Sequence, residues 1–204
     1  MPLYIMVITW LGMSCFRIQT ANATVICDPY ESKRSLKAPR IVVADVVVHS
    51  TPETHDVGPR SAFHIQSPGE YETKGVFCYG KQLGSTTIYL IEAEDIRIAF
   101  LGRLSITPEN GELELIENAD VLLIPVGGAA VLDGTAAAKL STTIEPRVVI
   151  PMCFATTGHS APFDTSNAFL KELGSVETSH ETKFKVSKSQ LPSESTEVVV
   201  LSPQ

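Results

Sequence analysis

Side chains that ionise, coordinate metal or attack an electrophile sit close together at few places in this sequence. His55-Asp56, with Glu53 nearby, is one; Cys153, closing the apolar run 147–152, is another. Imidazole, carboxylate and thiolate are all competent zinc ligands. Cys153 could also act as a nucleophile if Arg103 or His55 acidified its thiol, although a free cysteine at a strand end is more often simply buried. His49 reads as a capping or packing residue at a strand end. His64, His159 and His180 stand apart, with no second histidine at metal spacing. His159 follows Cys153 by six residues in a Gly-Ser-Pro loop, which places it near a site mouth or on the surface. Glu70 and Glu72, two apart, would share one face of a strand, and a solvent face is expected rather than a general acid and base. Gly127-Gly128 follows a buried strand but has the spacing of neither common phosphate-binding loop.

These residues must be positioned by elements that the sequence also signals. Tyr4–Trp10, Ser14–Gln19 and Thr24–Cys27 are rich in β-branched and aromatic residues and read as strands, with a turn at Thr20–Ala23. Glu31–Arg40 is a polar loop, Ile41–His49 a buried strand, and Ser50–Arg60 a loop with two prolines. Phe63–Gln66 and Val76–Tyr79 are expected to form a hairpin around Pro68-Gly69. Thr86–Glu92 and Arg97–Leu101 form another around Ala93–Asp95. The second half alternates helix and strand. Thr107, with Pro108 at the first helical position, would begin a helix running to about Asn118, although Gly111 weakens it. Val121–Pro125 and Arg147–Met152 are buried strands. Asp133 or Thr135 starts a helix towards Thr143, Asp164 or Thr165 one that ends before Gly174, and Val198–Leu201 is a closing strand.

The 204 residues carry 44% hydrophobic and 19% charged side chains, which fits a globular chain, and a single domain over 1–204 is expected. The net charge of −7, with no basic stripe, argues against nucleic acid as a partner. Four cysteines without a C-x-x-C pair are read as reduced thiols of a cytoplasmic protein. The apolar start, 1–16, lacks a basic n-region, and no run of 18 apolar residues exists, so neither a signal peptide nor a membrane span is expected.

Taken in order, several segments resemble the small metallo-β-lactamase-fold hydrolases. They are Ile8-Thr9-Trp10-Leu11-Gly12-Met13-Ser14-Cys15-Phe16 with Asp28-Pro29-Tyr30, then Ala44-Asp45, and Ser67-Pro68-Gly69-Glu70-Tyr71-Glu72 with Gly75-Val76. Leu101-Gly102, the stretch Ala119–Gly128, and Glu145–Met152 complete the series. The resemblance implies an α/β fold: a four-layer αβ/βα sandwich, two mixed sheets face to face, helices outside, and a site at the sheet edges. It makes Gly127-Gly128 a tight turn and Glu70 and Glu72 part of a fold signature.

The resemblance also implies two metals held by an H-x-H-x-D-H loop, a further His, a bridging Asp and a final His, activating a water. Counted without gaps from Ala44-Asp45, the loop motif falls on Thr51, Glu53, His55 and Asp56. A one-residue slip would instead place His55 on the last His, with Ser50, Pro52 and Thr54 on the others. Gly80–Ser85 is too short for the loop bearing the next His. Arg103 stands at the bridging position and Cys153 at the final one, while Asp28 keeps the family's buried supporting carboxylate. A guanidinium cannot coordinate metal. Two functions follow as expectations. One is a metal-free, non-hydrolytic binding or structural module, in which Arg103 pairs with Glu53, Asp56 or Asp28 and offers a site for a small anion; a protein partner or self-association would fit such a module. The other is a lactone- or phosphodiester-cleaving hydrolase with one zinc at His55, Asp56 and Cys153.

Overall fold

The computed structural model describes residues 4–32, 38–41, 43–109, 111–156, 162–174 and 181–204; His159 and His180 lie outside the described residues. Two sheets account for most of it. In the first, β1 (Met6–Trp10), β2 (Phe16–Gln19) and β3 (Thr24–Cys27) form an antiparallel meander. β4 (Val46–Val48) and β5 (Phe63–Ile65) continue it in parallel beyond β3. The second holds β6 (Gly69–Thr73), β7 (Val76–Leu83), β8 (Thr86–Ala93), β9 (Ile96–Phe100), β10 (Val121–Pro125) and β11 (Val148–Met152). β12 (Phe184–Val186) adds to the free edge of the first sheet beside β1, and β13 (Glu197–Val198) to the second beside β11. The second sheet is antiparallel from β6 to β9 and parallel from β9 to β13. Both sheets are thus mixed, as expected.

Burial follows the pattern that the strands were read from. β10 and β11 are buried at every position, as a parallel strand covered on both faces must be, whereas β6 is largely exposed. One hydrophobic cluster draws on both sheets, including Trp10, Phe16, Val48, Tyr89, Phe100, Ile124 and Met152. Outside the second sheet lie α1 (Gly134–Ile144) and α2 (Asn167–Glu172), packed on one another, with Ala137, Leu140 and Phe169 turned into the cluster. The Asp133 carboxylate caps α1 by accepting from the Ala136 N–H at 2.8 Å. A second, smaller cluster of Leu11, Cys15, Ile26, Ala44 and Val47 is joined by Tyr30, Ile41 and Ala62, which belong to loops.

Several expected elements differ. Residues 111–118 form consecutive turns rather than a helix, held by Glu112 N–H to Glu109 O and by Ile116 and Glu117 N–H to Leu113 O. Gly111 and Asn118 both take positive φ, which breaks the α ladder at each end of the segment. The described residues therefore contain two α-helices, not three. Phe63–Gln66 does not pair with Val76–Tyr79. β5 pairs in parallel with β4, and the hairpin is β6–β7, turned at Lys74-Gly75, where both residues have positive φ. Residues 80–83 extend β7 instead of forming a loop, leaving only Gly84-Ser85 as the turn into β8. β4 covers three of the nine residues expected of it, and α2 starts after Ser166 rather than at Asp164 or Thr165. The strand 184–186 had no expectation at all.

Candidate functional site

Parallel strands end on a common side, and the functional positions follow those ends. Asp28 follows β3 and Ser50 comes two residues after β4. Gly102-Arg103 follows β9, Gly127 follows β10 and Cys153 follows β11. Carboxyl ends of parallel strands are where open α/β sheets build ligand sites.

At the floor lies a buried brace. Asp28, at positive φ and 1% exposed, accepts the Ser50 N–H at 2.6 Å and the Ser50 hydroxyl at 2.5 Å. Burial raises its carboxyl from 3.8 to about 6, against the lowering effect of hydrogen bonds from Ser50 and Ser14 and of the Arg103 charge. Ser50 also ties the sheets together, because its carbonyl accepts the Thr87 N–H of β8 at 2.8 Å. Gly102 makes this approach feasible. A Cβ built on it would stand 2.1 Å from Ser50 Cβ, and its φ of +53° is one that side chains disfavour. Gly127 is equally confined, since its Cβ would meet the Cys153 carbonyl at 2.0 Å. That contact supports the tight-turn reading.

Above the brace stands Arg103. Its Nη1 donates to Glu53 Oε2 at 3.0 Å, the ion pair expected for one of three named carboxylates. Its side chain is 31% exposed and that of Glu53 73%, so the pair lies at the surface of the site and not in its interior. The Arg103 Nε is buried without a hydrogen-bond partner. Glu53 sits on a single 3-10 turn, Pro52–Thr54, with no side-chain cap. Arg103, Glu53, Glu31, Met13, Tyr30, Thr54 and Val57 line a cavity of about 400 Å³.

Cys153 is fully buried, and burial pushes its thiol from 9.0 up to about 12 despite the lowering influence of Arg103. Its N–H donates to the Met13 carbonyl, which also accepts the Trp10 indole N–H, so the β1–β2 turn holds the β11 end in place. Its complete burial also leaves an electrophile no approach to the sulfur. Thr51 is buried with its hydroxyl unpaired; Asp56 is exposed.

His55 packs edge-on against His49, ring centroids 5.6 Å apart. His49 is more than a packing residue. Its Nδ1 lies 3.0 Å from the Thr54 hydroxyl and its Nε2 2.9 Å from His64 Nδ1, while His64 Nε2 donates to the Pro59 carbonyl at 3.0 Å. Burial, with the neighbouring His64 and His55 rings adding to it, drives His49 from 6.5 down to about 3, so it is neutral. This pairing was invisible in the sequence because it depends on β4 and β5 lying parallel, which brings Val47 beside His64.

The family implies metal, and the donor set can be tested for it. Among the described residues no group of three or more His, Cys, Asp and Glu side chains is placed to hold a metal ion. By the family correspondence a guanidinium stands where a bridging carboxylate would be needed, and a guanidinium cannot coordinate metal. These residues do not fit a metal centre. No helix among the described residues is long and apolar enough to cross a membrane.

Residues 7–153 match the family model described as "Beta-lactamase superfamily domain". A UPF0173 protein of Pyrococcus abyssi is 24% identical over 196 residues, covering 82% of this chain and 90% of the relative. A UPF0173 protein of Pyrococcus furiosus gives the same identity over 197 residues, with the same coverage of each chain. Among solved structures, a proposed zinc-dependent hydrolase of the metallo-β-lactamase superfamily from Thermotoga maritima superposes with a TM-score of 0.83. It shares 28% identity and covers 96% of this chain and 98% of its own. The metallo hydrolase Igni18 from Ignicoccus hospitalis, 16% identical with a TM-score of 0.67, covers 90% of this chain and 98% of its own, and shows the shared fold alone.

Proposed function

The chain belongs to the beta-lactamase superfamily, and from that premise we propose that it is a metal-free, non-hydrolytic member working as a binding module at the position of the family's active site. The observation that carries this reading is the Arg103–Glu53 ion pair at the mouth of the cavity. A permanent cation occupies the bridging position. A zinc ion ~4 Å away would meet a repulsion of roughly 8 kcal/mol at an effective dielectric of 20. The seven positions Asp28, Thr51, Glu53, His55, Asp56, Arg103 and Cys153 then mark a converted site. Asp28 still shapes the floor, Arg103 and Glu53 supply the polar mouth, and Cys153 serves as packing. The hydrolase with one zinc on His55, Asp56 and Cys153 has less support, because the His55 ring packs on His49 and no three such side chains among the described residues are grouped to hold a metal ion. The core shared between the sheets supports one domain over 1–204, and four buried free thiols support a reducing, cytoplasmic setting.

Metal analysis of freshly purified protein tests the reading directly. The expected result is substoichiometric metal and a melting temperature unmoved by a chelator, since nothing bound only to the native state is being withdrawn. A fall of several degrees on chelation, restored by zinc, would sink it.

A further inference from the structure

The cavity beside Arg103 has a composition that selects among ligands. It presents one guanidinium, Arg103, against two carboxylates, Glu31 and Glu53, and apolar surface from Met13, Val57 and the Tyr30 ring. Arg103 commits one N–H, on Nη1, to Glu53 among its described contacts. Glu53 is itself a carboxylate, so a carboxylate is the group whose geometry the guanidinium already receives. The Glu53 side chain is the more exposed of the two and stands on a turn that lacks a side-chain cap, so an incoming carboxylate can displace it.

Charge then decides what else the ligand must carry. Among the described residues the lining has one more negative than positive group, so a phosphate dianion or a dicarboxylate would add repulsion without relief. A simple monocarboxylate would add a third negative group to the lining and bring no counter-charge for the two already there. A ligand bearing an ammonium beside its carboxylate leaves the total unchanged and gives Glu53 and Glu31 a counter-charge. Met13 and Val57 call for an aliphatic group on the same molecule, and a cavity of about 400 Å³ has room for it.

We propose that this cavity binds a small zwitterionic ligand of the aliphatic α-amino acid class. Its carboxylate sits on Arg103, its ammonium faces Glu31 and the released Glu53, and its side chain lies against Met13 and Val57. The proposal deepens the metal-free binding reading and rests on it.

Isothermal titration calorimetry with four probes tests it: L-leucine, 4-methylpentanoate (no ammonium), 3-methylbutylamine (no carboxylate) and inorganic phosphate. Leucine binds saturably, and each of the other three binds at least ~10-fold more weakly, the scale set by losing one charge-assisted contact. Arg103→Gln abolishes leucine binding while circular dichroism and the melting temperature show a folded protein. Glu31→Gln weakens leucine but leaves 4-methylpentanoate no weaker than before. Absence of leucine heat at millimolar concentration, or equal affinity for leucine and 4-methylpentanoate, or tighter binding of phosphate, overturns the proposal. Metal content measured on the same preparation separates the two levels. Metal-free protein that ignores leucine defeats only the ligand assignment, whereas stoichiometric metal defeats the underlying binding reading whatever leucine does.

Discussion

Two carboxylates that feel the charge of the same arginine live under opposite conditions. Asp28 is buried, holds two hydrogen bonds from one serine, and joins the ends of β3 and β4. Glu53 is exposed and holds one bond from Arg103 across the cavity mouth. The first arrangement is structural: its loss leaves buried donors without an acceptor. The second is a surface ion pair, and such pairs contribute little to stability. The contrast separates what packing holds fixed in the site from what it leaves free. The floor is specified by packing and buried hydrogen bonds, and the mouth is free to carry other side chains.

The largest effect should come from attacking the floor through its backbone. Gly102→Ala puts a Cβ into Ser50 and forces a side chain into positive φ, a combined cost on the order of 4 kcal/mol, read as a fall in chemical-denaturation midpoint. Expression of a normally stable Ala variant would show that the brace is loose. Asp28→Ala comes next. It strands the Ser50 N–H and hydroxyl, at a cost of about 3 kcal/mol by the same measurement.

The pH dependence sharpens the contrast further. Asp28 is raised in the folded state, so its stabilising contribution is full below about 4 and is lost as pH climbs through about 6, by at most about 3 kcal/mol. His49 is depressed, so its contribution is present above 6.5 and is lost as pH falls towards about 3. The two slopes oppose one another between pH 4 and 6. Asp28→Asn, which retains an acceptor for the Ser50 N–H, should remove one of them and leave a protein whose stability rises with pH across that interval. An unchanged profile would mean that Asp28 titrates in the folded protein as it does in the unfolded chain.

Smallest of all should be Arg103→Ala, at about 0–1 kcal/mol in the same denaturation assay. The exposure of Glu53 sets this scale, since a charge facing water is not stranded when its partner goes. A loss above ~3 kcal/mol would erase the distinction between floor and mouth drawn here.

Much of the fold was readable because the segments that carry it have unambiguous local signals. β10 and β11 are short apolar runs bounded by turn residues, and Asp133 caps α1 as its position suggested. The failures share a physical origin. The 107–118 segment has a good start signal, but Gly111 and Asn118 accept left-handed backbone and let turns compete with the helix. Phe63–Ile65 looks like any short strand, and nothing local tells it to join β4 instead of folding back on β7. The site divides the same way. Motif order along the chain brought Asp28, Glu53, Arg103 and Cys153 forward as candidates, and Arg103 meets Glu53, one of its anticipated partners. Ser14 and Ser50 as donors to Asp28, and the His49–His64 contact, depend on which strand ends meet in space, which no single segment encodes.

The four cysteines have a practical consequence. Cys15, Cys27, Cys78 and Cys153 are all free and at most 1% exposed, and burial raises every one of their thiols. A thiol reagent added to the native protein therefore finds no accessible thiolate and must wait for the chain to open. Cys78 lies in β7 and Cys27 at the end of β3, while Cys15 and Cys153 flank the floor of the site. Modification rates resolved by mass spectrometry would accordingly time the opening of the two sheets and of the site separately, without a single engineered label.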